Sequence, residues 1–99
     1  MSELAPENLL DLSSRVALVT GAGQGVGATT AHYLATQGAA VVVNDYVAER
    51  AETVAGEINE SGGTAIALQG DVTSFEAVTA MLTTAREQLG TVDVLVNNA

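Results

Sequence analysis

An apolar run without polar alternation, Val16-Ala17-Leu18-Val19-Thr20, leads straight into four glycines at every second position: Gly21, Gly23, Gly25 and Gly27. An uninterrupted apolar run of this length is how a strand buried on both faces reads. After the glycines, Ala28 to Gln37 reads as a helix, with Gly38 placed as its C-terminal cap. A tight strand-to-helix turn needs positive φ or very close backbone approach, and glycine permits both.

The alternation continues down the chain. Ala40-Val41-Val42-Val43 is a second buried strand ending in Asn44-Asp45. Val47, Ala51, Val54, Ala55 and Ile58 recur at steps of three and four, with Glu49, Arg50, Glu52, Glu57 and Glu60 between them. That spacing predicts an amphipathic helix with a solvated acidic face. Ser61-Gly62-Gly63 stops it, and Thr64 to Leu68 is a third strand. Gly70-Asp71-Val72-Thr73-Ser74 is a turn with a capping residue, followed by a helix striped with Val78, Met81, Leu82, Ala85 and Leu89. Gly90 ends that helix, Asp93 to Val96 is a fourth strand, and Asn97-Asn98-Ala99 follows. Four short apolar strands alternating with three helices predict an α/β fold with a parallel sheet and right-handed crossovers. At 99 residues the chain holds one domain at most, with residues 1–14 as a lead-in and 15–99 as the folded unit.

Charge narrows the function. Twelve acids face three basic residues, Arg15, Arg50 and Arg86, for a net charge of −9 with no lysine. A nucleic-acid binder needs a basic face, and an anionic membrane surface repels such a chain. Without cysteine there is no thiolate zinc site or thiol nucleophile, and with His32 the one histidine no metal site is expected. The acidic start, Met1 to Glu7, is no secretory signal, and the longest apolar run, Ala39 to Val43, is far short of a membrane span of ~20 residues. A cytoplasmic protein is expected.

The glycine loop points to an anion. Free N–H groups at a helix start, aided by the helix dipole, suit a pyrophosphate. The loop is not a P-loop, because no lysine exists to reach the phosphates. It also misses the G-x-G-x-x-G spacing, whose third glycine would fall on Val26; Gly21-xxx-Gly25-x-Gly27 is the spacing that fits. A ligand-free glycine turn is the plain alternative, and the flanking strand and helix favour the cradle. Asp45 closes the second strand about 20 residues past Gly25, where an acid can hold the ribose hydroxyls of a dinucleotide; a turn or helix-capping role is the other reading.

Thr20-Gly21-xxx-Gly25-x-Gly27, then Gly70-Asp71-Val72, then Asn97-Asn98-Ala99, with the lead-in Asp11 to Val19, resembles the N-terminal, NAD-binding half of a short-chain dehydrogenase/reductase over residues 11–99. The resemblance implies a Rossmann-like doubly wound parallel sheet, here its N-terminal half, with strands in the order third, second, first, fourth. It implies that the first two helices cover one face and the third the other, leaving Asp93 to Val96 as an exposed edge. By the same resemblance Gly21, Gly23, Gln24, Gly25, Val26 and Gly27 approach the pyrophosphate and adenosine ribose of NAD. Asp45 selects NAD, Asp71 and Val72 contact adenine, and Asn98 and Ala99 lie beside the cofactor ribose.

In the family the catalytic serine, a Tyr-xxx-Lys pair and a helper asparagine lie beyond the position of Ala99, so no catalytic residue carries over. Tyr33 and Tyr46 have no lysine four residues on. The implied function is hydride transfer between a nicotinamide and a small-molecule carbonyl or secondary alcohol, by a homo-oligomer when intact, with the 99-residue chain inactive alone. The alternative is a stand-alone, non-catalytic nucleotide-binding or interaction module. His32 and Arg50 read as solvated helix residues, and Tyr46 as a surface aromatic or a neighbour of the adenine.

Overall fold

A computed structural model of the protein describes residues 11–98. β1 (Val16–Val19), β2 (Ala40–Asp45), β3 (Thr64–Gln69) and β4 (Val94–Val96) form one sheet in the order β3-β2-β1-β4. Every neighbouring pair is parallel; Val16 lies opposite Ala40, Ala17 opposite Val94, and Val43 opposite Ala67. Parallel strands need long crossovers, which α1 (Gly25–Thr36), α2 (Ala48–Glu60) and α3 (Phe75–Gln88) supply.

The two-residue period of the strands divides the core. Ala17, Val19, Val41 and Val43 point to the face covered by α1 and α2, where they meet Ala31, Ala51, Val54, Ala55 and Ile58. Val16, Leu18 and Val42 point to the other face and meet Ala85 of α3. Burial on both sides is why β1 and β2 lack polar alternation. The alanines along the first face let the two helices lie close to the sheet.

Several element ends differ from the expected ones. α1 starts at Gly25, three residues before Ala28. Its first turn contains two glycines, poor helix formers by propensity, so tertiary packing sets this boundary. Thr20 lies outside β1, but its N–H still donates to the Val96 carbonyl, 3.0 Å. β3 extends to Gln69, and β4 begins at Val94 rather than Asp93. Asp93 instead anchors the strand start: its Oδ1 accepts from the Val16 N–H at 2.9 Å, and its Oδ2 from Arg15 Nη1 at 3.3 Å. The capping role of the Gly70–Ser74 turn falls to Ser74, whose hydroxyl accepts from the Ala77 N–H, 3.2 Å.

The second face is thinly covered. Met81 and Ala85 are the buried residues of α3, while Phe75, Leu82 and, on β4, Leu95 are exposed. Between α3 and β4 lies a largely apolar cleft of about 390 Å³ lined by Leu18, Val78, Leu82, Val92 and Leu95 among others.

Candidate functional site

β1 sits at the topological switch point: the chain leaves it through α1 toward β2 on one side, and returns from β3 through α3 to β4 on the other. In open parallel sheets a crevice forms there, beyond the carboxyl ends of the strands. Here it is a cleft of about 490 Å³. Gly21, Gln24 and Gly25 line it from the turn after β1, and Asn44, Asp45, Tyr46 and Arg50 from the end of β2 and the start of α2. Gly70, Asp71 and Val72 line it after β3, and Asn98 after β4.

The glycine turn is held from below. The Ala22 N–H donates to the Asn44 carbonyl at 2.7 Å, and the Gly23 N–H to Asp45 Oδ2 at 2.9 Å. Gly21 and Gly25 have φ of +61° and +59°, the left-handed region that side chains disfavour. Gln24 is the N-cap of α1, yet its side chain makes no capping bond, and no acid stands in the first turn. The amino end of α1 therefore offers backbone N–H groups and the positive end of its dipole to an anion.

The expected site residues do not all line the cleft. Gly21, Gln24, Gly25, Asp45, Asp71, Val72 and Asn98 line the cleft. Gly23 and Gly27 lie beneath it and serve packing. A Cβ on Gly23 would stand 2.5 Å from the Arg50 Cβ, and one on Gly27 would stand 2.7 Å from Asn98 Nδ2 and overlap the Gly21 carbonyl. Val26 is exposed and outside the cleft lining. Ala99 lies outside the described residues.

Asp45 is buried at 6% exposure, with both oxygens accepting backbone hydrogens: Oδ2 from Gly23 and Oδ1 from Val47, each at 2.9 Å. It thus has the turn-capping role while also lining the cleft. Asp71 accepts from the Thr73 hydroxyl at 2.6 Å and the Thr73 N–H at 2.9 Å, and these bonds hold its carboxyl below the usual carboxylate range. The Asn98 N–H donates to Thr20 Oγ1 at 2.9 Å and its side-chain amide to the Gly21 carbonyl at 3.4 Å. That ties the segment after β4 to the glycine turn.

Three cleft residues escaped the sequence reading or were read as peripheral. Asn44 is buried; its amide donates to the carbonyls of Leu68 at 3.1 Å and Gly70 at 3.3 Å, shaping the floor between β2 and β3. An amide ending an otherwise apolar strand was the available signal. Arg50 is exposed but lies on the cleft, its stem against the glycine turn. Tyr46 is 70% exposed at the rim, so its surface position and its place on the cleft coexist. His32 lies away from the cleft and is not simply solvated: its Nε2 pairs with Glu57 Oε1 at 3.1 Å, bridging α1 and α2. Among the described residues no His, Cys, Asp or Glu cluster suits a metal, and no helix is long and apolar enough to cross a membrane.

A β3-β2-β1-β4 parallel sheet with a glycine turn and an open helix start at its switch point defines the Rossmann-like, doubly wound class. Residues 15–99 match the model of the short chain dehydrogenase family, and the chain belongs to that family. It is 46% identical over 90 residues to the 7α-hydroxysteroid dehydrogenase of Escherichia coli K12, covering 91% of this chain and 35% of that one. With the cis-4-hydroxycyclohexanecarboxylate dehydrogenase of Sinomonas cyclohexanicum it shares 47% over 87 residues, covering 88% and 34%. The solved hydroxysteroid dehydrogenase from Escherichia coli superposes with a TM-score of 0.88 at 46% identity, over 91% of this chain and 38% of that one. A 7α-hydroxysteroid dehydrogenase solved with NADH and 7-oxo glycochenodeoxycholic acid gives 0.85 at 44% identity, over 89% and 34%. The chain spans about a third of the length of the curated relatives it matches.

Proposed function

We propose that this chain is the NAD-binding part of a short-chain oxidoreductase that moves a hydride between a nicotinamide and a small-molecule carbonyl or secondary alcohol. The observation that carries this reading is the cleft itself, where an uncapped helix start and a buried carboxylate face one space across a glycine turn. The solved relative holding NADH supports it, as do relatives named for a hydroxysteroid and a hydroxycyclohexanecarboxylate.

The residues present fit a dinucleotide. Gly21, Gln24 and Gly25 would meet the pyrophosphate with backbone N–H groups; Gly23 and Gly27 keep the turn close to the strand, and Val26 continues the helix start. Asp45 would accept from the adenosine ribose hydroxyls, Asp71 and Val72 would border the adenine, and Asn98 and Ala99 the second ribose. When bound, the nicotinamide supplies the hydride acceptor or donor. The groups of this chain bind and orient it; with no lysine in the sequence, a Tyr-xxx-Lys pair is not among them. The net charge of −9 fits an enzyme without nucleic-acid or anionic-membrane partners, and its likeness to the short-chain dehydrogenases supports the proposal of a cytoplasmic homo-oligomer.

Calorimetric titration of the full-length protein with NADH tests the reading. Binding, together with NAD-linked oxidation of secondary alcohols, is expected; absence of binding would overturn it.

A further inference from the structure

One residue joins three of the segments around the cleft. Asp45 Oδ2 accepts from the Gly23 N–H in the glycine turn, and Oδ1 from the Val47 N–H at the lead into α2, both at 2.9 Å. Its main-chain oxygen accepts from the Gly70 N–H after β3, 3.2 Å. There is no slack around this junction, since a Cβ on Gly23 would come within 2.7 Å of Oδ2.

We propose that the Asp45 carboxylate is a positioning residue for the glycine turn. It holds the turn in its cradle shape before any ligand arrives, and so supports dinucleotide affinity through the backbone, separately from any contact with the adenosine ribose. The proposal rests on the reading of the cleft as a dinucleotide site and adds a second role to Asp45. The chemistry requires a carboxylate. Both facing groups are N–H donors, and an ionised carboxylate accepts on both oxygens, whereas an amide accepts on one side and donates on the other. Asparagine would therefore set an NH₂ against one of the two N–H groups. A turn released in this way spends part of its time in other shapes, and apparent affinity falls by the fraction no longer competent to bind.

The test uses the full-length protein, Asp45→Asn, and two ligands: NAD and an NAD analogue lacking both hydroxyls of the adenosine ribose. The analogue deletes the ribose contact and leaves the clamp as the remaining difference between the two proteins. The variant is expected to bind the analogue at least tenfold more weakly than wild type. Without ligand, its Gly23 amide should exchange at least tenfold faster, while the Val42 and Val43 amides keep their protection. Equal binding of the analogue by both proteins, with unchanged Gly23 exchange, would overturn the proposal and leave Asp45 to the ribose alone. A wild-type measurement stands independently of the variant's folding: Gly23 exchanging at the rate of an unstructured peptide in the ligand-free protein would also overturn it. If wild type binds neither ligand, the dinucleotide reading fails instead, and Gly23 protection still reports on the clamp.

Discussion

Gly27 backs directly onto Gly21, so that a single methyl group on Gly27 would overlap the Gly21 carbonyl and press on the Asn98 amide. Gly25, two residues earlier, has open space around its missing side chain and a φ of +59°. The two glycines of the motif therefore do different work, and their valine variants separate. Gly27→Val forces the first turn of α1 off the sheet and costs stability as overpacking does, about 1–3 kcal/mol or more. Gly25→Val costs about 1–2 kcal/mol of backbone strain, and its side chain stands on the cleft. Both should abolish NADH binding, but urea denaturation should show the larger loss for Gly27→Val. Unchanged NADH affinity in either variant would contradict the cradle.

Cofactor choice is the second expectation. On the proposed placement of the adenosine ribose, a 2′-phosphate would meet the Asp45 carboxylate, so NAD should bind at least tenfold more tightly than NADP, about 1.4 kcal/mol. Arg50 is the basic side chain on the cleft. Arg50→Ala should widen the preference by weakening NADP, and Asp45→Ala should narrow it, chiefly by weakening NAD. Parallel titrations with the two cofactors measure both ratios; equal affinities in the wild type would remove Asp45 as the selector.

Acid should loosen the start of the sheet. The Val16 N–H, with Arg15 beside it, holds the Asp93 carboxyl below the usual range against a smaller opposing effect of burial. A carboxyl whose folded pKa is depressed adds stability that is present above its unfolded value of about 3.9 and lost as pH falls through the folded value. Asp93→Asn should therefore be less stable than wild type at pH 7, and the gap should close toward pH 3. Urea midpoints at the two pH values check this; a gap that persists in acid would assign the effect to packing.

The 99-residue chain on its own should show no nicotinamide-linked turnover and should self-associate. β4 pairs with β1, and among the described residues nothing pairs with its other edge, while Leu95 is 65% exposed. An open apolar edge is a template for intermolecular pairing. Leu95→Lys should shift the chain toward monomer in size-exclusion chromatography. A monodisperse wild-type monomer with a protected β4 would count against this and favour a self-sufficient module.

Local pattern sufficed for the order of elements and the class of sheet. Uninterrupted apolar runs mark strands buried on both faces, three-and-four spacing marks the helices, and glycine at 38, 62 and 90 takes positive φ where helices end. The glycine turn and Asp45 were legible for the same reason, since their spacing along the chain is a property of one βαβ unit. What the pattern could not carry depends on segments distant in sequence coming within bonding range. Helical spacing places Arg50 outward, but not that outward there means the glycine turn. It marks Gly21 to Gly27 as a loop, but not which glycines face the cleft and which let α1 begin early against Gly21. Spacing left Asp45 between ribose partner and turn residue. Only the folded backbone, by bringing the Gly23 and Val47 N–H groups to its two oxygens, shows it engaged as a turn residue at the edge of the cleft.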